Sequence, residues 1–361
     1  MTDRLQRLRG TLVERELDAA LISNARNRRY LSGFTGSAGY LLITADDAVI
    51  ATDFRYYEQS AQQAPAFRLY KTIGGLDAWV PGLLAGLGGK KLGFEAGDMT
   101  VATHDQLRKI IAELPQADQP QLVPVSNLVE SLRLVKEPAE VEALQRAVDL
   151  GDAAFTHVAE RIEPGWTEKQ VAWEIEKYIR EHGGDGLSFD TIVAGGPWGA
   201  MPHAYPRDRK LEAGEGVVID MGCDVGGYMS DLTRTVCLGK PDDQFRKIYD
   251  IVLTAQLTAE EMVRPGMAGE QAHMIAHNVI EAAGYGETFG HGLGHGIGLE
   301  VHEAPRLGRT SADELKDGMV FTIEPGIYIT GWGGVRIEDM VVLENGRARV
   351  MSRAPKLRFA G

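Results

Sequence analysis

Four carboxylates and one histidine stand in the C-terminal part of the chain, each within or beside an apolar segment punctuated by glycine. They are Asp220, Asp231, His295, Glu324 and Glu338. Such segments are expected to be buried, and a buried carboxylate is costly unless it is paired, hydrogen-bonded or bound to a cation. Each acid alone would be interpreted as an ordinary surface or salt-bridged residue. A centre that holds two metal ions explains all five together.

The segments around the two aspartates predict a β-hairpin. Residues 217–222 and 229–236 have the composition of strands, and the glycine pair between them suits a tight two-residue turn. Closing the hairpin at this turn places Asp231 opposite Gly222. The two-residue period of a strand then puts Asp220 on the same face. The two aspartates are therefore expected to be diagonal neighbours.

The other three candidates lie in segments with their own local signals. The heptapeptide Gly290–Gly296 contains too much glycine for a helix and predicts extended backbone that packs closely against another segment. Glu324 stands at the end of a strand-like run, directly before a Pro-Gly pair. In the run that ends at Glu338, alternation places Arg336 on the same face as that glutamate.

The order Asp, Asp, His, Glu, Glu resembles the pita-bread metallopeptidases, which include methionine aminopeptidase, aminopeptidase P and prolidase. The segments Gly290–His295, Thr322–Gly326 and Val335–Asp339 resemble the proline-specific branch. The resemblance covers nearly the whole chain. It implies an α+β fold in which a C-terminal pita-bread catalytic domain with a pseudo-two-fold repeat follows a smaller, mixed-sheet α/β domain of the creatinase/prolidase type.

The resemblance also implies roles for the five ligands. Asp231 and Glu338 would bridge two divalent metal ions, Asp220 would complete the coordination of one ion, and His295 with Glu324 that of the other. Oxygen ligands with one imidazole suit manganese, cobalt, zinc or iron, and we expect manganese, with cobalt and zinc as alternatives. A water held between two cations becomes a hydroxide nucleophile near neutral pH. Glu324 is expected to shuttle a proton as well.

Three further histidines match positions that line the substrate cleft in the proline-specific branch. By that resemblance His203 and His302 would stabilise the tetrahedral intermediate, and His291 would contact the proline side of the substrate. A single histidine is more often a packed or surface residue. Two roles are open for Arg336, which would either orient a metal ligand such as Asp220 or hold a substrate carboxylate.

The stretch before His203 departs from the family pattern. Relatives more often carry small polar residues where Trp198 stands. An indole at this position would narrow the cleft or replace polar contacts. The length of the substrate and its preferred N-terminal side chain therefore stay open.

Residues 1–132 predict a separate α/β domain, because short helical and strand-like segments alternate along them. We find no catalytic constellation in this part of the sequence. Phe34 and Arg55 lie in segments that resemble the N-terminal domain of aminopeptidase P and creatinase relatives. Turn formation and packing are the simpler interpretation of these residues, and closure over the substrate, in the same or a partner subunit, is the functional one.

Residues 133–361 predict the second domain, which contains an internal repeat. A long amphipathic helix is predicted from Pro138 to about Ile162. The helices that end before Pro164-Gly165 and Pro265-Gly266 are each followed by another helix and then by strands. The two aspartates follow the first helix pair, and the other three ligands follow the second. This arrangement predicts a site at a central sheet shared by two similar halves.

Composition restricts the partners and the compartment. The net charge of −13, from 38 Lys+Arg against 51 Asp+Glu, disfavours nucleic acid and anionic membranes as partners. Two cysteines are too few for a disulfide framework. The N-terminus lacks the apolar core of a signal peptide, and no run approaches the roughly 18 apolar residues of a membrane span. We therefore expect a cytoplasmic protein, and we expect it to form a homodimer.

The predicted function is a dinuclear-metal peptidase that releases the N-terminal residue from Xaa-Pro peptides. A preference for dipeptides, which defines an Xaa-Pro dipeptidase or prolidase, stays open as the alternative. An enzyme of the methionine aminopeptidase type would use the same ligands but usually lacks a domain like residues 1–132. A non-catalytic peptide-binding homologue characteristically loses metal ligands, whereas this chain keeps all five.

Overall fold

The computed structural model describes residues 2–357, and the chain divides into two compact units between Arg133 and Leu134. Helices and strands alternate in the first unit. Its elements are α1 (Thr2–Glu14), β1 (Ala19–Ile22), α2 (Ala25–Ser32), β2 (Tyr40–Thr44), β3 (Ala48–Thr52), α3 (Tyr57–Gln63), β4 (Arg68–Lys71), α4 (Leu76–Leu83), β5 (Lys91–Glu95), α5 (Val101–Glu113), β6 (Gln121–Val125) and α6 (Glu130–Arg133).

The strands of the first unit form one six-stranded sheet in the order β4-β3-β2-β1-β5-β6. Pairing is antiparallel between β1, β2 and β3, and it is parallel for the other three pairs. The mixed α/β character predicted for this part of the chain is therefore confirmed. Helix α2 has few apolar residues, but its start is fixed by Asn24, whose side chain accepts hydrogen bonds from the N–H groups of Arg26 and Asn27.

The second unit carries four helices and thirteen strands within the described residues. They are α7 (Pro138–Ala159), α8 (Glu168–Glu181), β7 (Gly186–Leu187), β8 (Ile192–Gly195), β9 (Gly216–Met221), β10 (Cys223–Val225), β11 (Tyr228–Met229), β12 (Leu232–Cys237), α9 (Asp243–Met262), α10 (Gly269–Ala282), β13 (Gly294–Gly296), β14 (Glu303–Leu307), β15 (Val320–Ile323), β16 (Gly326–Ile329), β17 (Gly333–Arg336), β18 (Asp339–Glu344) and β19 (Arg347–Val350).

The internal repeat is visible in matching backbone contacts. In the first half the N–H of Gly165, after α7, donates to the carbonyl oxygen of Leu211 at 2.9 Å. In the second half the N–H of Gly266, after α9, donates to the carbonyl oxygen of Leu315 at 2.8 Å. The next helix then starts in the same way in both halves, because a glutamine side chain, Gln170 or Gln271, accepts the N–H three residues before it. The predicted repeat of helix pairs is confirmed.

Each half packs its helices against its own strands. An apolar cluster joins α7 and α8 to β8, β9 and β12, and a second cluster joins α9 and α10 to β15, β16, β17 and β18. The strands of this unit lie in four sheets, whose orders are β11-β10-β7, β12-β9-β8, β14-β13-β15-β18-β19 and β16-β17. The halves meet where the N–H of Glu338 donates to the carbonyl oxygen of Thr233 at 3.0 Å. No helix within residues 2–357 is long and apolar enough to cross a membrane.

One buried histidine in α10 makes the stability of the fold depend on pH. His273 is fully buried, and neither of its ring nitrogens has a hydrogen-bond partner among residues 2–357. Burial, together with the nearby charges of His277 and Arg309, lowers the pKa of His273 to about 4. Because the folded pKa lies below the ordinary value of about 6.5, the neutral ring contributes its full stabilisation above about pH 6.5. This stabilisation is lost progressively as the pH falls from about 6.5 to about 4.

We therefore expect His273→Phe to reduce the acid sensitivity of the protein. Between pH 7 and pH 4.5 the free energy of unfolding of the wild type should fall by about 2–3 kcal/mol more than that of the variant, the scale set by 1.36 kcal/mol per pKa unit. Urea unfolding at both pH values measures the difference. The control His182→Phe changes an exposed ring on the other helix pair and should follow the wild type. Equal pH dependence in His273→Phe and the wild type would contradict the expectation.

Candidate metal centre

The hairpin register predicted for the two aspartates is confirmed. Val225 pairs with Tyr228 across the turn, and Thr233 pairs with Asp220 in the next sheet with the same register, which leaves Asp231 opposite Gly222. The turn glycines, Gly226 and Gly227, have φ values of 60° and 76°. A two-residue hairpin turn of type I′ needs positive φ at both of these positions. Each predicted strand is interrupted beside the aspartates, into β9 and β10 and into β11 and β12. A Cβ at Gly222 would lie 2.0 Å from the carbonyl oxygen of Ser230, so only glycine allows this close approach.

Thr322 aligns the histidine with the first glutamate. The N–H of His295, in β13, donates to the Thr322 hydroxyl at 3.1 Å, and that hydroxyl donates to Glu324 Oε1 at 3.2 Å. Glu324 directly follows β15, as predicted. A Cβ at Gly294 would lie 2.0 Å from the carbonyl oxygen of Thr322. The close packing predicted for the glycine-rich segment is therefore confirmed.

The continuous alternation predicted from Val335 to Glu338 is wrong. Strand β17 ends at Arg336 and β18 begins at Asp339, so Glu338 lies in the connection between them. The break has a tertiary cause, since the N–H of Glu338 pairs with Thr233 of the other half rather than with a strand of its own. Arg336 and Glu338 nevertheless face the same cavity.

Three of the predicted ligands converge on one point. One ligand atom each from Asp231, His295 and Glu338 lie within 4.8 Å of one another. His295 Nε2 is 3.6 Å from Asp231 Oδ2 and 3.4 Å from Glu324 Oε1. The other ring nitrogen, Nδ1, lies 3.1 Å from the carbonyl oxygen of Gly296 and must donate to it. Nε2 therefore offers its lone pair toward the carboxylates, as a metal-ligating imidazole does.

Two buried carboxylate oxygens in this cluster have no partner among the described residues. They are Oδ1 of Asp220 and Oε1 of Glu338. Their companions are occupied, since Asp220 Oδ2 accepts from Arg336 at 2.5 Å and Glu338 Oε2 accepts from Thr233 at 2.7 Å. A buried carboxylate oxygen without a partner is costly, and a divalent cation satisfies it. The residues present therefore fit a metal ion.

The charges of the cluster also favour a bound metal ion. Burial raises the pKa of Asp231 well above its usual value, and the neighbouring charges of Glu338, Asp220 and Glu324 raise it further. Burial likewise raises the pKa of Glu338 well above normal, with added contributions from Glu324 and Asp220. Burial also raises the pKa of Glu324. Arg336 opposes all three shifts without reversing them, so an excess of negative charge is left that a cation would neutralise.

Arg336 uses four of its five N–H donors within the protein. It is 4% exposed, and its guanidinium donates to four acceptors: Asp220 Oδ2, the Thr233 hydroxyl, the Tyr328 hydroxyl and the carbonyl oxygen of Pro202. The distances from Arg336 to Thr233, Tyr328 and Pro202 are 3.0, 2.9 and 3.2 Å. This geometry favours the first of its two predicted roles, the orientation of Asp220.

Tyr328 links Arg336 to His291 through two hydrogen bonds. The Nδ1 of His291 lies 2.7 Å from the carbonyl oxygen of Gly292 and must donate to it, so Nε2 accepts from the Tyr328 hydroxyl at 2.9 Å. Tyr328 in turn accepts from Arg336. The sequence analysis missed both Tyr328 and Thr233. An aromatic residue in a strand and a threonine in a hairpin carry no signal that separates them from ordinary packing residues.

The ligands line a cavity of about 490 Å³ in the second unit. All three histidines that were predicted to line the substrate cleft, His203, His291 and His302, border it. The ring of His302 lies 4.3 Å from that of His295, centre to centre. Burial lowers the pKa of His302, and His295 and His203 lower it further. Burial also lowers the pKa of His291, which favours neutral imidazoles at both positions.

The expectation that the Trp198 indole narrows this cleft is wrong for the described cavity. Trp198 lies in a short 3-10 helical turn, and its ring packs under the guanidinium of Arg207 at 3.9 Å. Its Nε1 donates to the carbonyl oxygen of Tyr205 at 3.3 Å. Tyr205, 69% exposed, is the residue that borders the cavity. Trp198 therefore affects the cavity only indirectly, because it holds the segment that carries Tyr205.

Comparisons with known proteins agree with this geometry. Residues 142–345 match metallopeptidase family M24, and residues 4–135 match the creatinase/prolidase N-terminal domain. An Xaa-Pro dipeptidase of Pyrococcus horikoshii is 35% identical over 354 residues, which cover 97% of each chain. The solved structure of an Xaa-Pro dipeptidase from Bacillus anthracis is 40% identical, with a TM-score of 0.94 over 99% of this chain and 98% of that one. An X-Pro aminopeptidase from Thermotoga maritima is 34% identical, with a TM-score of 0.89 over 98% and 99%.

Fold and site together define a metal-dependent peptidase with a pita-bread catalytic unit after a creatinase/prolidase-type N-terminal unit. The chain belongs to metallopeptidase family M24 and is a hydrolase. The family resemblance and the fold class predicted from the sequence are therefore confirmed. Membership of this family implies a divalent metal ion, and the convergent ligands fit one.

Proposed function

We propose that the protein is an Xaa-Pro aminopeptidase, which removes the N-terminal residue from peptides whose second residue is proline. The similar proteins named Xaa-Pro dipeptidase and X-Pro aminopeptidase support proline at the second position. The observation that carries the choice between them is the state of Arg336. It is the only lysine or arginine among the described residues that line the cavity, and four of its five N–H donors are already hydrogen-bonded within the protein. A dipeptide carboxylate would need a free cation beside the proline.

The five predicted ligands would hold the metal at the proposed centre. Asp231 and Glu338 would be shared between two divalent ions, preferably manganese, while Asp220 would complete one site and His295 with Glu324 the other. Bound ions of this kind polarise a carbonyl and supply a nucleophilic water near neutral pH. Glu324, which directly follows β15 and borders the cavity, would move a proton to the leaving proline nitrogen.

The histidines are assigned to the substrate. His203 and His302 donate to the oxygen of the scissile carbonyl as it gains charge. His291, whose ring is fixed by Tyr328 and Gly292, borders the proline side. These assignments, the metal identity, the homodimer and the cytoplasmic location are predictions. Elemental analysis would test the metal, and a measurement of mass in solution would test the homodimer.

We expect hydrolysis to require proline at the second position and to tolerate residues beyond it. With added manganese, Ala-Pro-Ala and an Ala-Pro pentapeptide should be cleaved with kcat/KM at least equal to that of Ala-Pro. Product analysis by mass spectrometry measures this directly. Cleavage of Ala-Pro alone would make the protein an Xaa-Pro dipeptidase, the second candidate, which the names of several relatives favour. Equal turnover of Met-Ala and Met-Pro peptides would favour the methionine aminopeptidase type instead.

A further inference from the structure

A second cluster of charged residues lies directly behind the metal centre. Asp339 follows Glu338 in the chain and is fully buried. Its Oδ1 pairs with Arg234 Nη2 at 2.7 Å, and its Oδ2 pairs with Lys356 Nζ at 2.6 Å. The amide of Gln256 donates to the same Oδ2 at 3.1 Å. Asp339 is therefore held by two cations from opposite sides, and neither cation belongs to the proposed ligand set.

Arg234 connects this cluster to the backbone of Glu338. Its Nη1 donates to the carbonyl oxygen of Glu338 at 2.5 Å and to that of Thr233 at 3.0 Å. Thr233 holds the same glutamate from the other side, since its carbonyl oxygen accepts the Glu338 N–H and its hydroxyl donates to the carboxylate. The position of the Glu338 carboxylate thus depends on where Arg234 lies. Arg234 in turn depends on Asp339.

Lys356 reaches Asp339 from the C-terminal segment Met351–Leu357, which has neither helix nor strand. Side chains from other elements fix this segment instead. Arg234 donates to the carbonyl oxygen of Ala354 at 2.9 Å, and the Tyr249 hydroxyl accepts the N–H of Leu357 at 2.8 Å. Lys356 Nζ also lies 3.2 Å from Glu260 Oε1 on α9. We call this segment the C-terminal strap.

We propose that the C-terminal strap supports the metal centre, with Lys356 as a positioning residue for Glu338. Lys356 contacts both acids of the cluster, Asp339 and Glu260, which also share a hydrogen bond with each other. Removing the lysine charge would leave the buried Asp339 carboxylate with one of its two cations missing, which is strongly unfavourable. Asp339 would shift to find another partner for Oδ2, and Arg234 and the Glu338 carbonyl would follow. The inference rests on the proposed ligation of metal by Glu338.

The test compares metal binding by variants of Lys356. Lys356→Met keeps the length of the side chain and removes the charge, and Lys356→Arg keeps the charge. Titration of the metal-free proteins with Mn²⁺ should give a Kd about 10–100-fold higher for Lys356→Met than for the wild type, the range found when groups that orient a metal ligand are lost. Lys356→Arg should recover most of the affinity. With peptide substrate at subsaturating Mn²⁺, kcat should fall in Lys356→Met while KM stays unchanged.

Lys316→Met is the matched control, because Lys316 pairs with Glu314 at the surface, with its side chain 57% exposed. It should bind Mn²⁺ like the wild type. If Lys356→Met does not fold, Lys356→Gln, which keeps an N–H donor for Asp339, takes its place with the same expectation. A folded charge-free variant with wild-type Kd for Mn²⁺ would overturn the proposal. Because this titration uses no substrate, a wild type that binds no Mn²⁺ would instead refute the proposed metal centre itself.

Discussion

Replacing Asp231 or Glu338 by alanine is expected to abolish peptidase activity and to release bound metal. Each of these carboxylates contributes an atom to the group that converges within 4.8 Å, and a bridging ligand serves both ions at once. The loss in kcat/KM should be on the order of 10⁴-fold, as for removal of one member of an interdependent catalytic set. Elemental analysis after dialysis and assays on Ala-Pro-Ala measure the two effects.

Glu344→Ala is the control for this pair of variants. Glu344 lies on β18, the strand that follows Glu338, but it pairs with Arg349 at the surface at 2.5 Å. It should keep both metal and activity. An active Glu338→Ala variant that retains two metal ions per chain would contradict the ligand assignment.

A different substitution at Glu338 should stabilise the metal-free fold. Without metal, burial and the neighbouring acids raise the pKa of Glu338 well above normal, so this carboxyl group works against folding at neutral pH. We expect metal-free Glu338→Gln to unfold at a higher urea concentration than the metal-free wild type, since glutamine keeps the shape and cannot ionise. A lower midpoint would show that the carboxylate contributes to the fold by a route other than metal binding.

Arg336→Lys carries the second large expected effect. Lysine keeps the charge but cannot reproduce the hydrogen bonds that the guanidinium makes to Asp220, Thr233 and Tyr328. If Arg336 orients Asp220 as a metal ligand, as their contact favours, kcat/KM should fall about 10–100-fold for every substrate, together with affinity for Mn²⁺. Assays on Ala-Pro and on an Ala-Pro pentapeptide measure whether the loss is uniform.

A selective loss would favour the other role of Arg336. If the guanidinium held the carboxylate of a dipeptide, hydrolysis of Ala-Pro alone should weaken by about 2–3 kcal/mol, the scale of a hydrogen bond between charged groups. The pentapeptide would then be much less affected. Tyr328→Phe is a useful companion, because it cuts the link from Arg336 to His291 and leaves the contact between Arg336 and Asp220 in place.

The sequence predicts some parts of the site well because those parts are local. The register of Asp220 and Asp231 depends only on a two-residue glycine turn and the period of a strand, and both hold in the structure. The pairing of Thr233 with Glu338 joins residues 105 positions apart, and no local pattern encodes it. That contact breaks the strand after Arg336, so the shared face of Arg336 and Glu338 was predicted for the wrong reason.

Side-chain direction outside regular elements is the other source of error. Trp198 lies in a single 3-10 turn, where no periodicity says which way an indole points, and its partner Arg207 comes nine residues later. The position of Lys356, near the C-terminal end of the described residues, could not be predicted either. A lysine in an irregular segment is normally a surface residue, and only the tertiary structure brings it to Asp339.

Because the predicted ligands come from both halves of the repeat, metal binding should also affect the stability of the protein. Asp220 and Asp231 come from one half, and His295, Glu324 and Glu338 come from the other. An ion that touches ligands of both halves acts as a removable cross-link. At a free metal concentration one hundred times its Kd, such binding would add about 2.7 kcal/mol to the free energy of unfolding. A cell that withholds the metal would therefore weaken the resistance of the protein to proteolysis as well as its activity.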